Sequence, residues 1–297
     1  MKSLALRSLL RSLIVSFLCV ALILFDVFFP YLYHSSPRAG PASNFDVGIC
    51  YVYESDPVEL IYGEVGHIQS VGFRILRINL RCDAINPNAY VNNQTDALFG
   101  AASHFGLPVA LIIMNHQTLP DLQYYLGRWG RNLSYIQIMN EPELSQSWDL
   151  GTLFTDDEII TQFQQYYSVI EPFNLSAKLY TNFESGYILR SNIPIVLSKN
   201  LDFVGFDIYM QSFLTLSPNF VQSLRQTTGK DVIVTEFGMS TADDVAQSNF
   251  LIQGLNLFKN MGIQGCWLVY WNSDGTYYGI RGRLAEQKVG EWIANNT

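Results

Sequence analysis

Asp231-Val-Ile-Val-Thr-Glu236-Phe-Gly238 is a short β-branched run that ends in a carboxylate and a glycine. Valine and isoleucine favour the pleated backbone, and a run this continuously apolar is the pattern of a strand covered on both faces. A stretch with helical spacing follows over 243–260, opened by Asp243 and Asp244 at the positive end of its dipole. The same unit recurs along the chain from residue 45. Predicted strands fall at 45–53, 75–80, 108–115, 135–140, 178–183, 203–209, 231–236 and 266–271. Predicted helices fall at 57–71, 94–105, 119–130, 156–171, 186–199, 218–228, 243–260 and 285–294. Strands alternating with helices require a parallel sheet covered on both faces or closed on itself, and eight repeats favour closure. The expected fold is therefore α/β, a single (β/α)8 barrel over residues 44–297. Such a barrel takes roughly 250 residues, and the chain has 297. An open doubly wound sheet fits less well, because no Gly-rich phosphate loop follows the first strand.

Composition narrows the function classes. A formal charge of −8, with no Lys/Arg run beyond the first dozen residues, argues against nucleic acid as a partner. Four cysteines at 19, 50, 82 and 266 include no CxxC pair, and four histidines show no HExxH spacing, so no metal or cofactor is expected. Cys50 and Cys82 fall on predicted neighbouring strands and read as two buried thiols rather than a disulfide.

The N-terminus has its own pattern. Residues 13–29 are apolar apart from Ser16 and Asp26, and the preceding flank, 1–12, carries Lys2, Arg7 and Arg11 with no acid. This predicts a transmembrane signal anchor over 13–29 with a cytoplasmic basic flank, a linker over 30–43, and a barrel held at the membrane outside the cytoplasm. The alternative is a cleaved signal peptide and a secreted barrel.

Barrel chemistry collects on the loops at the C-terminal ends of the strands. Two acids stand there: Glu141 in Ile136-Gln-Ile-Met-Asn-Glu141-Pro-Glu143, closing the fourth predicted strand, and Glu236, closing the seventh. Val232, Val234 and Glu236 share one parity, so with the valines filling the barrel Glu236 points inward at its mouth.

Asn140-Glu141-Pro142 on strand 4 and Thr235-Glu236-Phe237-Gly238 on strand 7 resemble the signature of the clan A glycoside hydrolases, such as families 5 and 39. The resemblance spans 45–294. It implies a retaining β-glycosidase with Glu141 as acid/base and Glu236 as nucleophile, and a β-linked oligo- or polysaccharide as partner. It further implies that Asn140 binds the sugar 2-hydroxyl, that Arg77 and Tyr209 approach the nucleophile, that His116 faces substrate, and that Trp271 forms the platform under the sugar. Trp148, Phe213, Tyr277 and Tyr278 are candidate platforms for further sugar units. The family 5 pattern His-x-Tyr on strand 6 is replaced here by Asp207-Ile-Tyr209, so the likeness is to the clan rather than to that family. The same residues serve a transglycosylase, and a barrel that binds carbohydrate without cleaving it is the remaining alternative. The chemistry explains the pair of acids: one protonates the leaving oxygen while the other, ~5 to 5.5 Å away, attacks the anomeric carbon from the opposite face.

Overall fold

The computed structural model describes residues 45–144, 154–188, 191–209, 216–272 and 277–297. They lie in one compact unit, Ser43–Thr297. Eight strands run β1 (Asp46–Cys50), β2 (Ile75–Asn79), β3 (Val109–Ile113), β4 (Leu133–Ile138), β5 (Lys178–Glu184), β6 (Phe203–Tyr209), β7 (Asp231–Gly238) and β8 (Gly265–Leu268). All pair in parallel, in sequence order, and β1 closes on β8. The expected closed barrel is what the chain forms.

The described helices are α1 (Val58–Val71), α2 (Tyr90–Phe105), α3 (Leu119–Trp129), α4 (Asp156–Ile170), α5 (Ser185–Ile188), α6 (Ile193–Leu197), α7 (Pro218–Thr228), α8 (Asp244–Asn260) and α9 (Leu284–Asn296). Their starts follow the capping chemistry. Thr155 and Glu158 form a reciprocal capping box at α4, Ser217 caps α7 ahead of Pro218, and Asp243 accepts from two backbone amides at α8. The single helix expected over 186–199 is instead two short pieces, α5 and α6, with Pro194 in the first turn of the second.

Outward-facing strand residues such as Val47, Leu76, Leu111, Ile136, Val204, Val232 and Val234 share one buried cluster with helix residues such as Ile61, Leu122, Phe163 and Leu251. Inside the barrel a second cluster forms the floor: Ile75, Ala110, Tyr180, Phe203, Ile233 and Trp267, with Tyr135 against it. Tyr180 stacks on Phe203 at 4.7 Å and meets Trp267 edge-on at 5.2 Å. Trp267 fits only because β1 places Gly48 beside it; a Cβ there would come within 2.6 Å of the indole.

The parity expected for β7 is corrected. Val232 and Val234 face the helices, while Ile233 faces the lumen. Glu236 nevertheless enters the mouth, because the β6–β7 ladder shifts register: Phe206 pairs with Val234 and Asp207 with Glu236, leaving Thr235 as the extra residue of a bulge. Thr235 and Glu236 thus both face inward, and Phe237 returns to the outer cluster.

The membrane anchor expected over 13–29 is also corrected. No helix among the described residues is long and apolar enough to cross a membrane. The longest of them, α8, has 17 residues and carries Asp244 and Lys259, whereas a span takes ~20 apolar residues. Residues 13–29 lie outside the described residues; at ~1.5 Å per residue such a run is short for a span, and Ser16 and Asp26 interrupt it. Membrane attachment and the localisation drawn from it are not supported.

Candidate active site

Five strands change character along the lumen. Two residues beyond Ile75, Tyr135, Tyr180 and Ile233 stand Arg77, Gln137, Asn182 and Thr235, and four beyond Phe203 stands Asp207. Every one of these polar residues is buried. Buried polar groups must find partners or lose the energy of a hydrogen bond, and here they find one another. Arg77 Nη2 donates to Gln137 Oε1 at 2.7 Å and pairs with Glu236 Oε1 at 2.8 Å. Gln137 Nε2 donates to Asn182 Oδ1 and Asn140 Oδ1, both at 2.7 Å. Asn182 Nδ2 donates to Asp207 Oδ2, and the Thr235 hydroxyl to Asp207 Oδ1 at 2.7 Å.

Above this layer the end of β4 turns sharply. Met139 and Glu141 both take left-handed backbone, with φ of 67° and 39°, a conformation that costs a non-glycine residue of order 1–3 kcal/mol. Hydrogen bonds hold it: Asn115 exchanges two with the Asn140 backbone, at 2.7 and 2.9 Å, and Asn182 Oδ1 accepts from the Glu141 amide at 3.1 Å. The turn delivers Glu141 to the mouth. One carboxylate oxygen from each of Glu141, Asp207 and Glu236 lies within 4.8 Å of the others.

The two glutamates occupy unequal surroundings. Glu236 has the Arg77 guanidinium on one oxygen and the Tyr209 hydroxyl donating to the other at 2.5 Å. Glu141 is buried with no cation paired to it, and its Oε1 has no hydrogen-bond partner. Burial, then the charge of Glu236 and of Glu143, pushes the Glu141 carboxyl well above the usual range. Burial opposes the charge on Arg77, but Glu236 together with Tyr180, Cys50 and Asp207 more than offsets it, and the guanidinium stays charged. Burial and Glu236 likewise raise Tyr209, keeping its hydroxyl a donor.

No model of a known protein family matches the chain, and no curated protein does. Solved structures share its architecture at low identity. A β-glycosidase from Pyrococcus horikoshii is 11% identical with a TM-score of 0.64, covering 87% of this chain and 95% of its own. An endo-1,4-β-xylanase from Penicillium canescens is 14% identical with a TM-score of 0.62, covering 86% and 96%. An endo-β-1,4-mannanase from Thermotoga petrophila is 13% identical with a TM-score of 0.60, covering 87% and 78%. The chain has the barrel fold of these glycosidases.

Within that glycosidase-type barrel, four further expected residues stand where the sequence put them or depart from it. Asn140 turns its side-chain oxygen into the Gln137–Asn182 network. His116 is exposed; its neighbour Asn115 is the residue that reaches β4. Tyr277 is 63% exposed at the rim, tied in by its backbone carbonyl to Gln247 and Arg283. Trp271 is a correction. It is 0% exposed, its indole donates to Glu64 of α1 at 2.7 Å, and His67 packs edge-on against it at 5.1 Å. β8 ends at Leu268 rather than running to 271, so the side chain leaves the lumen for the helical shell and offers no face to a sugar. Among the described residues Tyr278 brings an aromatic ring to the mouth, half-buried, 6.0 Å from the ring of Tyr209 and 6.4 Å from that of Tyr270. Burial and the charges of Glu236 and Glu141 raise its hydroxyl pKa. Trp148 and Phe213 lie outside the described residues.

Sequence reasoning missed Gln137, Asn182 and Asp207 as members of the site. The signal was present: each is a polar residue on the lumen parity of its strand, two or four positions beyond an aromatic. It also missed Glu143, which is half-buried against β5, accepts the Glu184 amide, and has its carboxyl pushed up to about 8, chiefly by the desolvation of that carboxyl. Among the described cysteines no disulfide joins Cys50, Cys82 and Cys266 to one another; Cys50 and Cys266 are buried, and Cys82, expected to be buried, is half-buried.

Proposed function

We propose that the chain is a retaining β-glycoside hydrolase acting on β-linked oligo- or polysaccharide, with Glu141 as acid/base and Glu236 as nucleophile, carried by the domain 44–297. The observation that carries this reading is the unequal setting of two neighbouring buried carboxyls. Glu236 beside Arg77 and Tyr209 is suited to remain an anion, and Glu141, desolvated next to that anion, is suited to hold a proton at the same pH. One oxygen of each acid within 4.8 Å of the other favours the retaining arrangement over the inverting one, whose carboxyls stand more than ~6.5 Å apart.

The steps follow from these charges. Glu236 attacks the anomeric carbon as Glu141 passes its proton to the leaving oxygen, and a glycosyl ester forms on Glu236. That bond removes the Glu236 charge, so Glu141 can stay ionised and take a proton from water, whose oxygen displaces Glu236 from the sugar. Tyr278, with Tyr270 behind it, supplies the aromatic face at the mouth in place of the inverted Trp271.

The full-length chain incubated with a panel of β-linked polysaccharides and aryl β-glycosides should release sugar whose first-formed anomer, followed by proton NMR, is β. An α anomer as first product overturns the mechanism. An added acceptor sugar that captures most of the product assigns the same site to transglycosylation.

A further inference from the structure

Asp207 has no part in a two-carboxylate mechanism, yet it is the most enclosed acid of the mouth, fully buried on β6. Its oxygens take hydrogen bonds from Asn182 of β5 and Thr235 of β7. Asn182 in turn accepts from the strained Glu141 amide, so one side chain links Asp207 to the backbone that carries the acid/base. The fold makes room for this arrangement: the β7 bulge turns Thr235 inward, and β6 has Gly205 where a Cβ would stand 2.7 Å from the Thr235 side chain.

We propose that Asp207 is a positioning residue, a neutral third carboxyl that holds Glu141 in place through Asn182 and keeps the charge of the mouth balanced through both halves of the reaction. This rests on the hydrolase reading above. The groups facing Asp207 are Glu141, Glu236, Arg77, Tyr180 and Tyr209. Arg77 is the one cation among them, and Glu236 holds it. At rest, Arg77⁺ balances Glu236⁻ while Glu141 and Asp207 are both protonated. After glycosylation the Glu236 charge is consumed by the new C–O bond and the Glu141 proton has left with the leaving group, so Arg77⁺ balances Glu141⁻. The count is zero at both stages only with the proton still on Asp207. Burial, then the charges of Glu236 and Glu141, favours that neutral form.

Asp207→Asn tests the idea, because it is neutral at every pH. Its amide oxygen can accept from Asn182 and its NH2 can donate to the Thr235 hydroxyl, which has the Phe206 carbonyl within 3.4 Å. The variant should keep turnover within about 10-fold of the parent, with the alkaline limb of kcat/KM moved by less than about 0.5 pH unit. Were Asp207 ionised at rest, the substitution would remove a charge about 5 Å from Glu141 and drag that limb down by about two units. That result overturns the proposal. Asp207→Val should lower kcat about 100-fold with KM little changed, and Thr235→Val, which keeps the shape and serves if the first variant does not fold, about 10-fold. Parental kcat in the folded variants also overturns it. Infrared spectra need no turnover: at neutral pH protonated-carboxyl absorption should be present in the full-length parent, with Glu141 and Glu143 contributing, and Asp207→Asn should lose one carboxyl's share of it. An unchanged spectrum sinks the neutral acid. That loss without any hydrolysis of β-linked substrates by the parent sinks the hydrolase reading instead.

Discussion

The floor and the mouth of this barrel are built from the same strands, one step apart. On β4 the lumen residues are Tyr135 and then Gln137, and on β5 Tyr180 and then Asn182. A rise of ~6.6 Å, two residues of strand, separates a layer of packed rings from a layer of connected hydrogen bonds. The floor derives its stability from area and shape. The mouth accumulates buried polar groups that cost free energy unless each is satisfied. One layer therefore stabilises what the other needs, and the two should respond to mutation in opposite ways.

The largest effect belongs to the mouth. Glu236→Ala should lower turnover of an aryl β-glycoside by ~10⁴-fold or more, with partial recovery in azide. Equal activity in the variant breaks the assignment of the nucleophile. At the floor the balance reverses: Trp267→Ala should cost ~3–5 kcal/mol in denaturant unfolding, while kcat per folded molecule stays within a few-fold. A loss of kcat without loss of stability would mean that the layers are not separate.

Trp271 sharpens the boundary from outside. Replacing it with Phe removes the indole bond to Glu64 and should cost ~1–3 kcal/mol, with no change in KM, because the ring faces α1 rather than substrate. A raised KM would return it to the sugar site. The smallest effect concerns Glu143. Its carboxyl titrates near 8 when folded and in the ordinary acid range when unfolded, so the folded state binds the extra proton between those values. Stability should fall as pH rises through that window, and Glu143→Gln should flatten the fall, leaving the variant the more stable above pH 8. Melting temperatures from pH 5 to 9 decide it.

Most of the architecture was legible because β-branched runs and capped helices are local signals. All eight strands begin within two residues of their sequence expectation, since Val109, Ile75 and Phe203 announce themselves by type, but the end of one does not follow. The eighth shows what is not local. β8 stops at Leu268 because the chain beyond it pairs otherwise, the Trp271 amide donating to the Cys50 carbonyl, and only that departure turns its side chain outward. Likewise no residue type in Val232-Ile-Val-Thr-Glu236 announces a bulge; the register shift exists only between β6 and β7. Glu236 was placed inward by an argument whose premise, lumen-facing valines, is reversed in the structure. Glu141 was read from its motif, but the left-handed turn that aims it depends on Asn115 and Asn182, both distant in sequence.

That turn has a consequence for how the acid meets its substrate. A glutamate reaching inward from a regular strand would be aimed by its own three side-chain torsions and would lose freedom each time a sugar arrived. Here the backbone does the aiming: φ at Met139 and Glu141 is fixed during folding by the side-chain amides of Asn115, in the turn after β3, and Asn182 of β5, and the cost is met once, when the barrel closes. On the proposed mechanism Glu141 therefore stands in a preorganised pose before any ligand enters, and binding need not assemble it.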